Sequence, residues 1–292
     1  MWRLTLNLCN EVVRELDFRA QCAFARDSGY DGLEIAPFTL ADDPTRLTAA
    51  QIAAIKDTAL SEGTRISGLH WLLAAPTGLS ITSDDDAMFE AACAAGLRLI
   101  DLCAGLGGSY LVHGSPRQRE LRPGEEASGR RRALAYFARM AQAASDRGVS
   151  YILEPLARGD TKLAASVDEA VEIVGRIGSP ALRTMVDCYA VAANGDDVAA
   201  TLDRWLACDR VAHVHLNDDN KGAPGQGGID FASVIGVLRN HNFAGEAAIE
   251  PFVYNPDGPA CAGAACAYVR ALERGEFNDP ARPPRASGRS AD

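Results

Sequence analysis

Short runs of β-branched and apolar residues alternate with longer Ala- and Leu-rich segments of helical period from the first residues to about residue 275. A short continuous apolar run suits a strand buried on both faces, and a longer segment with apolar positions every three or four residues suits a helix that covers it. Candidate strands are read at 3–9, 32–36, 65–70, 109–113, 149–154, 182–187, 210–216 and 246–250. The segments between them carry helix punctuation. Thr48 is followed by Gln51, with Gly63 past the end, and Ser166 by Glu169, with Val167, Val171 and Val174 on one side. Such a succession fits an α/β fold, a single (β/α)8 TIM barrel, better than an open doubly wound sheet. The nucleotide-binding form of that sheet would place a glycine fingerprint after its first strand, and Asn7 to Val13 contains no glycine. The stretch 224–228, Pro-Gly-Gln-Gly-Gly, follows the seventh strand without the lysine of a phosphate loop, so it is read as a tight active-site turn. Residues 1–275 are therefore expected to form one catalytic domain. Residues 276–292, rich in Pro, Arg and Ser, cannot support a packed element and are expected to be a mobile tail.

Charge and composition narrow the function. The 292 residues include 29 basic and 39 acidic side chains, a formal charge of -10, which opposes nucleic acid as the main partner. No apolar stretch approaches the roughly 20 residues of a membrane helix, and the start, MWRLTLNLCN, lacks the apolar core and cleavage site of a signal peptide. The expectation is a soluble, cytoplasmic protein. Its eight cysteines include no pair with a two-residue gap, which reads as reduced thiols and not as a zinc knuckle.

Candidate chemistry lies at the strand ends. Glu34, His70, His113, Glu154, Asp187, His215 and Glu250 stand at or near the C-terminal ends of candidate strands two to eight. In a barrel those ends converge on the face where the chemistry sits. A single strand-end histidine is commonly a hydrogen-bonded core residue; seven convergent polar residues are harder to explain that way. Carboxylates with imidazole suit one divalent cation, Mn, Mg, Co or Zn, with open positions for substrate and no organic cofactor. His213 points to the same face one layer deeper, as a support for His215.

The segments Glu154-Pro155-Leu156-Ala157-Arg158, Met185-Val186-Asp187-Cys188-Tyr189, His213-Val214-His215-Leu216-Asn217-Asp218 and Ile249-Glu250-Pro251-Phe252 together resemble the xylose isomerase-like TIM-barrel superfamily. Within it they are most similar to the ketose 3-epimerases of tagatose, psicose and ribulose. The resemblance implies a metal held by Glu154, Asp187, His215 and Glu250, with the two glutamates as the acid/base pair. It also implies homo-oligomers, which are common among such enzymes. The family pattern has Asn where this chain has Ala157, a substrate-binding His at Ala190, an Arg at Lys221 and a sugar-contacting Glu at Asp160. His70, His113, Asp160, Lys221, Trp71 and Glu34 are the expected substrate-binding residues, with Glu34 and Trp71 on the rim and His70 and His113 lining the same cavity.

The function so implied is a metal-dependent isomerase or epimerase of a keto-sugar or related polyol ketone that works through an enediolate. A dehydratase of a keto-cyclitol or a dehydroshikimate-like substrate would use the same enolate. Two rivals are an abasic-site endonuclease-like phosphodiesterase, with His70, His113 and Glu154 holding a second metal, and a non-catalytic sugar-binding protein.

Overall fold

The computed structural model describes residues 2–276, so the expected tail lies outside the described residues except for Glu276. Strands β1 (Thr5–Cys9), β2 (Gly32–Ile35), β3 (Ile66–Leu69), β4 (Tyr110–His113), β5 (Ser150–Leu153), β6 (Leu182–Asp187), β7 (Val211–Leu216) and β8 (Glu246–Ile249) run parallel in a closed barrel in chain order. Pairing of β1 with β8, from Thr5 opposite Glu246 to Leu8 opposite Ile249, closes the ring. The helices around it are α1 (Phe18–Ser28), α2 (Ala49–Ser61), α3 (Asp86–Leu106), α4 (Glu126–Arg147), α5 (Val167–Ile177), α6 (Cys188–Ala193), α7 (Val198–Leu206), α8 (Phe231–Asn240) and α9 (Gly258–Arg274). The expected (β/α)8 barrel is what the chain forms.

The punctuation acts as read. Thr48 and Gln51 make a reciprocal capping box at the start of α2, and Ser166 accepts the amide of Glu169 at the start of α5. Most of the core lies between barrel and helices, while Tyr110, Val112, Ile152 and Met185 form a second apolar cluster inside the barrel. Alternation along β4 therefore turns Tyr110 and Val112 inward and Leu111 and His113 outward. All eight cysteines are free, and among the described residues no helix is long and apolar enough to cross a membrane.

Candidate metal centre

The C-terminal ends of β5 to β8 bring four of the expected residues together. Glu154 and Glu250 lie one residue past their strands, yet the sheet ladder still holds them: the Glu154 amide donates to the His113 carbonyl and the Glu250 amide to that of Leu216, each at 3.2 Å. Donor atoms of Glu154, Asp187, His215 and Glu250 all lie within 4.8 Å of one another, and all four residues are buried. Nδ1 of His215 is 3.1 Å from Oε1 of Glu154 and 2.7 Å from Oε2 of Glu250. That Glu250 oxygen is buried without a hydrogen-bond partner despite the short distance. Three carboxylates and an imidazole, with an orphaned oxygen in their midst, fit a divalent cation of the Mn, Mg, Co or Zn type.

Electrostatics agree with that fit. Burial raises the Asp187 carboxyl to about 7, and the charge of Glu154 adds to it. Burial likewise raises Glu250 to about 8, against the pull of His215. Burial opposes a charge on His215, but Glu250, Glu34 and Glu154 outweigh it and push the imidazole well above its ordinary value. Carboxyls and an imidazole all raised by crowding are the signs of a site with surplus negative charge.

Supporting residues fix the candidate ligands. Asp187 accepts the Ala190 amide on Oδ1 and the Asn217 side-chain amide on Oδ2, each at 2.7 Å. The buried guanidinium of Arg119 donates to the Glu154 carbonyl at 2.7 Å. Gly114 leaves room for the Glu154 side chain: a Cβ there would stand 1.5 Å from Oε2. None of these supports was anticipated from sequence.

Over the cluster opens a cavity of about 230 Å³, with Glu154, Asp187 and Glu250 in its wall. Trp71, Asp160, Lys221, Ala157 and Ala190 also line it, as do Tyr189 and Phe252, which the sequence reading missed. Phe252 meets both other aromatics edge-on, Trp71 at 6.5 Å and Tyr189 at 6.4 Å between ring centroids. The Lys221 ammonium sits 4.8 Å from the Tyr189 ring centroid. Trp71 and Lys221 both adopt left-handed backbone, with φ of 51° and 66°. Non-glycine residues held there are enriched at functional sites.

Other expectations need correction. Glu34 is not on the rim; it is 0% exposed inside the barrel, where Tyr110 Oη donates to its Oε2 at 2.6 Å and His215 Nε2 to its Oε1 at 2.9 Å. It lies within β2 and not past its end, which sets it one layer below the cavity. His113 faces away from the cavity, because its strand position points outward. Its ring packs on Tyr136 and Phe137 of α4, and Nδ1 is 2.7 Å from the Tyr151 hydroxyl. His70 does point inward, but it is 1% exposed beneath the cavity, with Nε2 2.9 Å from Glu11. His70 and His113 therefore do not share a cavity. The glycine-rich turn stays outside the cavity wall; the Asp218 carboxylate accepts the amides of Gly225, Gly227 and Ile229, and Lys221 just before that turn reaches the cavity. His213 lies deeper, as expected, with Nε2 3.0 Å from Glu34.

Comparison with known proteins shows the family. A profile described as xylose isomerase-like TIM barrel matches residues 22–272. A D-psicose 3-epimerase of Enterocloster bolteae is 29% identical over 129 residues, which is 44% of this chain and 42% of that protein. An L-ribulose 3-epimerase of Methylomonas sp. is 25% identical over 259 residues, 86% of this chain and 84% of the relative. Among solved structures, D-psicose 3-epimerase of Clostridium cellulolyticum H10 superposes with a TM-score of 0.79 at 18% identity, over 92% of this chain and 99% of the other, and so shares the fold.

Proposed function

The chain belongs to the xylose isomerase-like TIM-barrel family, and from that premise we propose that it is a divalent-metal-dependent epimerase or isomerase of a keto-sugar or related polyol ketone. The observation that supports this most is the four-donor cluster of Glu154, Asp187, His215 and Glu250, whose three carboxylates line the cavity. The ketose 3-epimerases among its relatives point to the same reaction class. A divalent cation bound there would polarise the ketone oxygen of the substrate and acidify the neighbouring C–H.

The chain's own residues supply the rest. Asp187 has both oxygens committed to hydrogen bonds, so it is a fixed ligand and a poor mobile base. Glu154 and Glu250 come from different strands and flank His215 Nδ1. One removes the proton beside the ketone and the other delivers one to the opposite face, which is what inversion requires. Trp71, Tyr189 and Phe252 present apolar ring surface to the substrate and limit water, while Lys221 and Asp160 contact its polar groups. The endonuclease-like alternative loses its support, because His113 points to α4 and cannot join His70 and Glu154 around a metal.

The testing experiment is a screen of keto-sugars and cyclitol ketones with Mn, Mg, Co and Zn in heavy water, followed by NMR. Solvent deuterium at the carbon next to the ketone, with inversion or carbonyl transfer, is the expected result. No exchange into any ketone with any of the metals would contradict the proposal.

A further inference from the structure

Beside the first cluster lies a second. Strand β1 ends at Cys9 and continues into a 3-10 turn, Asn10–Val13, that carries Glu11. Cys9, Glu11, His70 and Glu250 are all buried, and each offers a donor atom within 4.8 Å of the other three. We propose that these residues form a second divalent-cation site, joined to the first through the Glu250 carboxylate.

The geometry of two carboxylates carries the inference. Glu250 is 3% exposed and turns one oxygen to each histidine: Oε1 lies 3.8 Å from His70 Nε2 and Oε2 lies 2.7 Å from His215 Nδ1. That is the disposition of a bridging ligand, and it leaves Glu250 free to exchange protons only while the second site is empty. Glu34 stands behind both rings, with Oε1 2.9 Å from His215 Nε2 and 3.6 Å from His70 Nδ1. Each imidazole therefore turns one nitrogen to the same carboxylate and the other to its own cluster. A carboxylate behind a ligating imidazole fixes tautomer and ring orientation. His70 Nδ1 is buried without a hydrogen-bond partner, 3.6 Å from Oε1 of Glu34.

Charge points the same way. Glu11, Glu34, Glu154, Asp187 and Glu250 are all buried, and among the described residues every ion pair they make is with a histidine. Cations bound among these carboxylates would offset buried negative charge that is otherwise met by the histidines and, beside Glu154, by the Arg119 guanidinium. The second donor set also differs in kind. A sulfur, a nitrogen and two oxygens suit four-coordinate Zn or Co, whereas the first set is richer in oxygen. On binding, a metal–sulfur bond forms and the Cys9 thiol proton leaves to solvent.

The test uses the full chain, stripped of metal and titrated anaerobically with Co²⁺ alone, with near-ultraviolet absorption and elemental analysis as readouts. About two cobalt ions per chain and a thiolate-to-cobalt charge-transfer band are expected. Cys9→Ser should abolish the band, and His70→Gln should lower occupancy of the second site, with thermal unfolding confirming that both variants fold. A single cobalt per chain, two cobalts without a thiolate band, or a band that persists in Cys9→Ser would overturn the proposal. Turnover plays no part in these readouts, so an inactive chain that binds two cobalts would leave this site standing while the proposed function falls.

Discussion

Nε2 of His215 stands 2.9 Å from Oε1 of Glu34 in the centre of the barrel, and this contact decides which nitrogen of His215 faces the carboxylates of Glu154 and Glu250. With Nε2 donating to Glu34, Nδ1 is left for the cluster of Glu154, Asp187 and Glu250. Burial opposes the charge on Glu34, but His213 and His215 hold its carboxyl well below the usual range, so it is an acceptor at every working pH. Glu34→Gln should therefore weaken cation binding by roughly 10- to 100-fold, the effect of losing such an outer partner. Competition against a chelator of known affinity checks this. Unchanged affinity in the folded variant would show that Glu34 does not orient His215.

Gly114 and Glu154 are related by space alone. Since a Cβ at 114 would meet Glu154 Oε2, Gly114→Ala should push that carboxylate out of place. Loss of a positioned acid or base costs about 10²- to 10⁴-fold in turnover, and the variant should fall in that range. Because the obstructing atoms belong to a side chain at the cavity, circular dichroism and thermal unfolding should change little. Full activity in Gly114→Ala would place Glu154 outside the reaction.

The meeting of Glu154, Asp187, His215 and Glu250 was legible in the sequence because each ends an apolar run, one per βα unit, so the four needed only the barrel to converge. What remained hidden is depth and direction. Parallel strands buried on both faces read as continuous apolar runs, so the four residues of β4 gave no sign that Tyr110 points in and His113 out. The depth of Glu34 likewise depends on where β2 stops, one residue after it. Tyr189 and Phe252 carried a usable signal, since they stand two residues after Asp187 and Glu250, on the chain as it turns over the cavity mouth. Gly114 and Asn217 carried none, because their roles depend on contacts between different strand ends.

His113 leads to a prediction about stability. Burial, with the charge of Arg119, drives its imidazole down to about 3, so it is neutral in the folded protein. An unfolded histidine titrates near 6.5, so between these values the unfolded chain binds the extra proton. This contribution to stability is complete above pH 6.5 and is lost as pH falls toward 3, at up to about 1.4 kcal/mol per pH unit. His113→Gln should flatten the dependence of unfolding free energy on pH in that window. An identical slope in the variant would show that His113 is protonated in the native state.

Specificity should depart from that of the ketohexose enzymes. Ala157 and Ala190 line the cavity where the family pattern has polar contacts, and Lys221 offers a point charge in place of a guanidinium fork. Tagatose and psicose should be poor substrates compared with a keto-polyol that carries an anionic group toward Lys221. Steady-state kcat/KM across such a panel checks this, and efficient turnover of either hexose would show that the departures are without effect.

Proton exchange by Glu154 and Glu250 on opposite faces of the substrate is tested by following the substrate carbon in heavy water with metal-loaded Glu154→Gln and Glu250→Gln variants. Metal content must be measured on each, since both residues belong to the cluster. The parent protein should incorporate deuterium at the inverted carbon, and each variant should lose inversion by at least the ~10²-fold typical of a missing acid or base. A fully loaded Glu250→Gln variant that inverts the carbon at the parent rate would contradict that exchange.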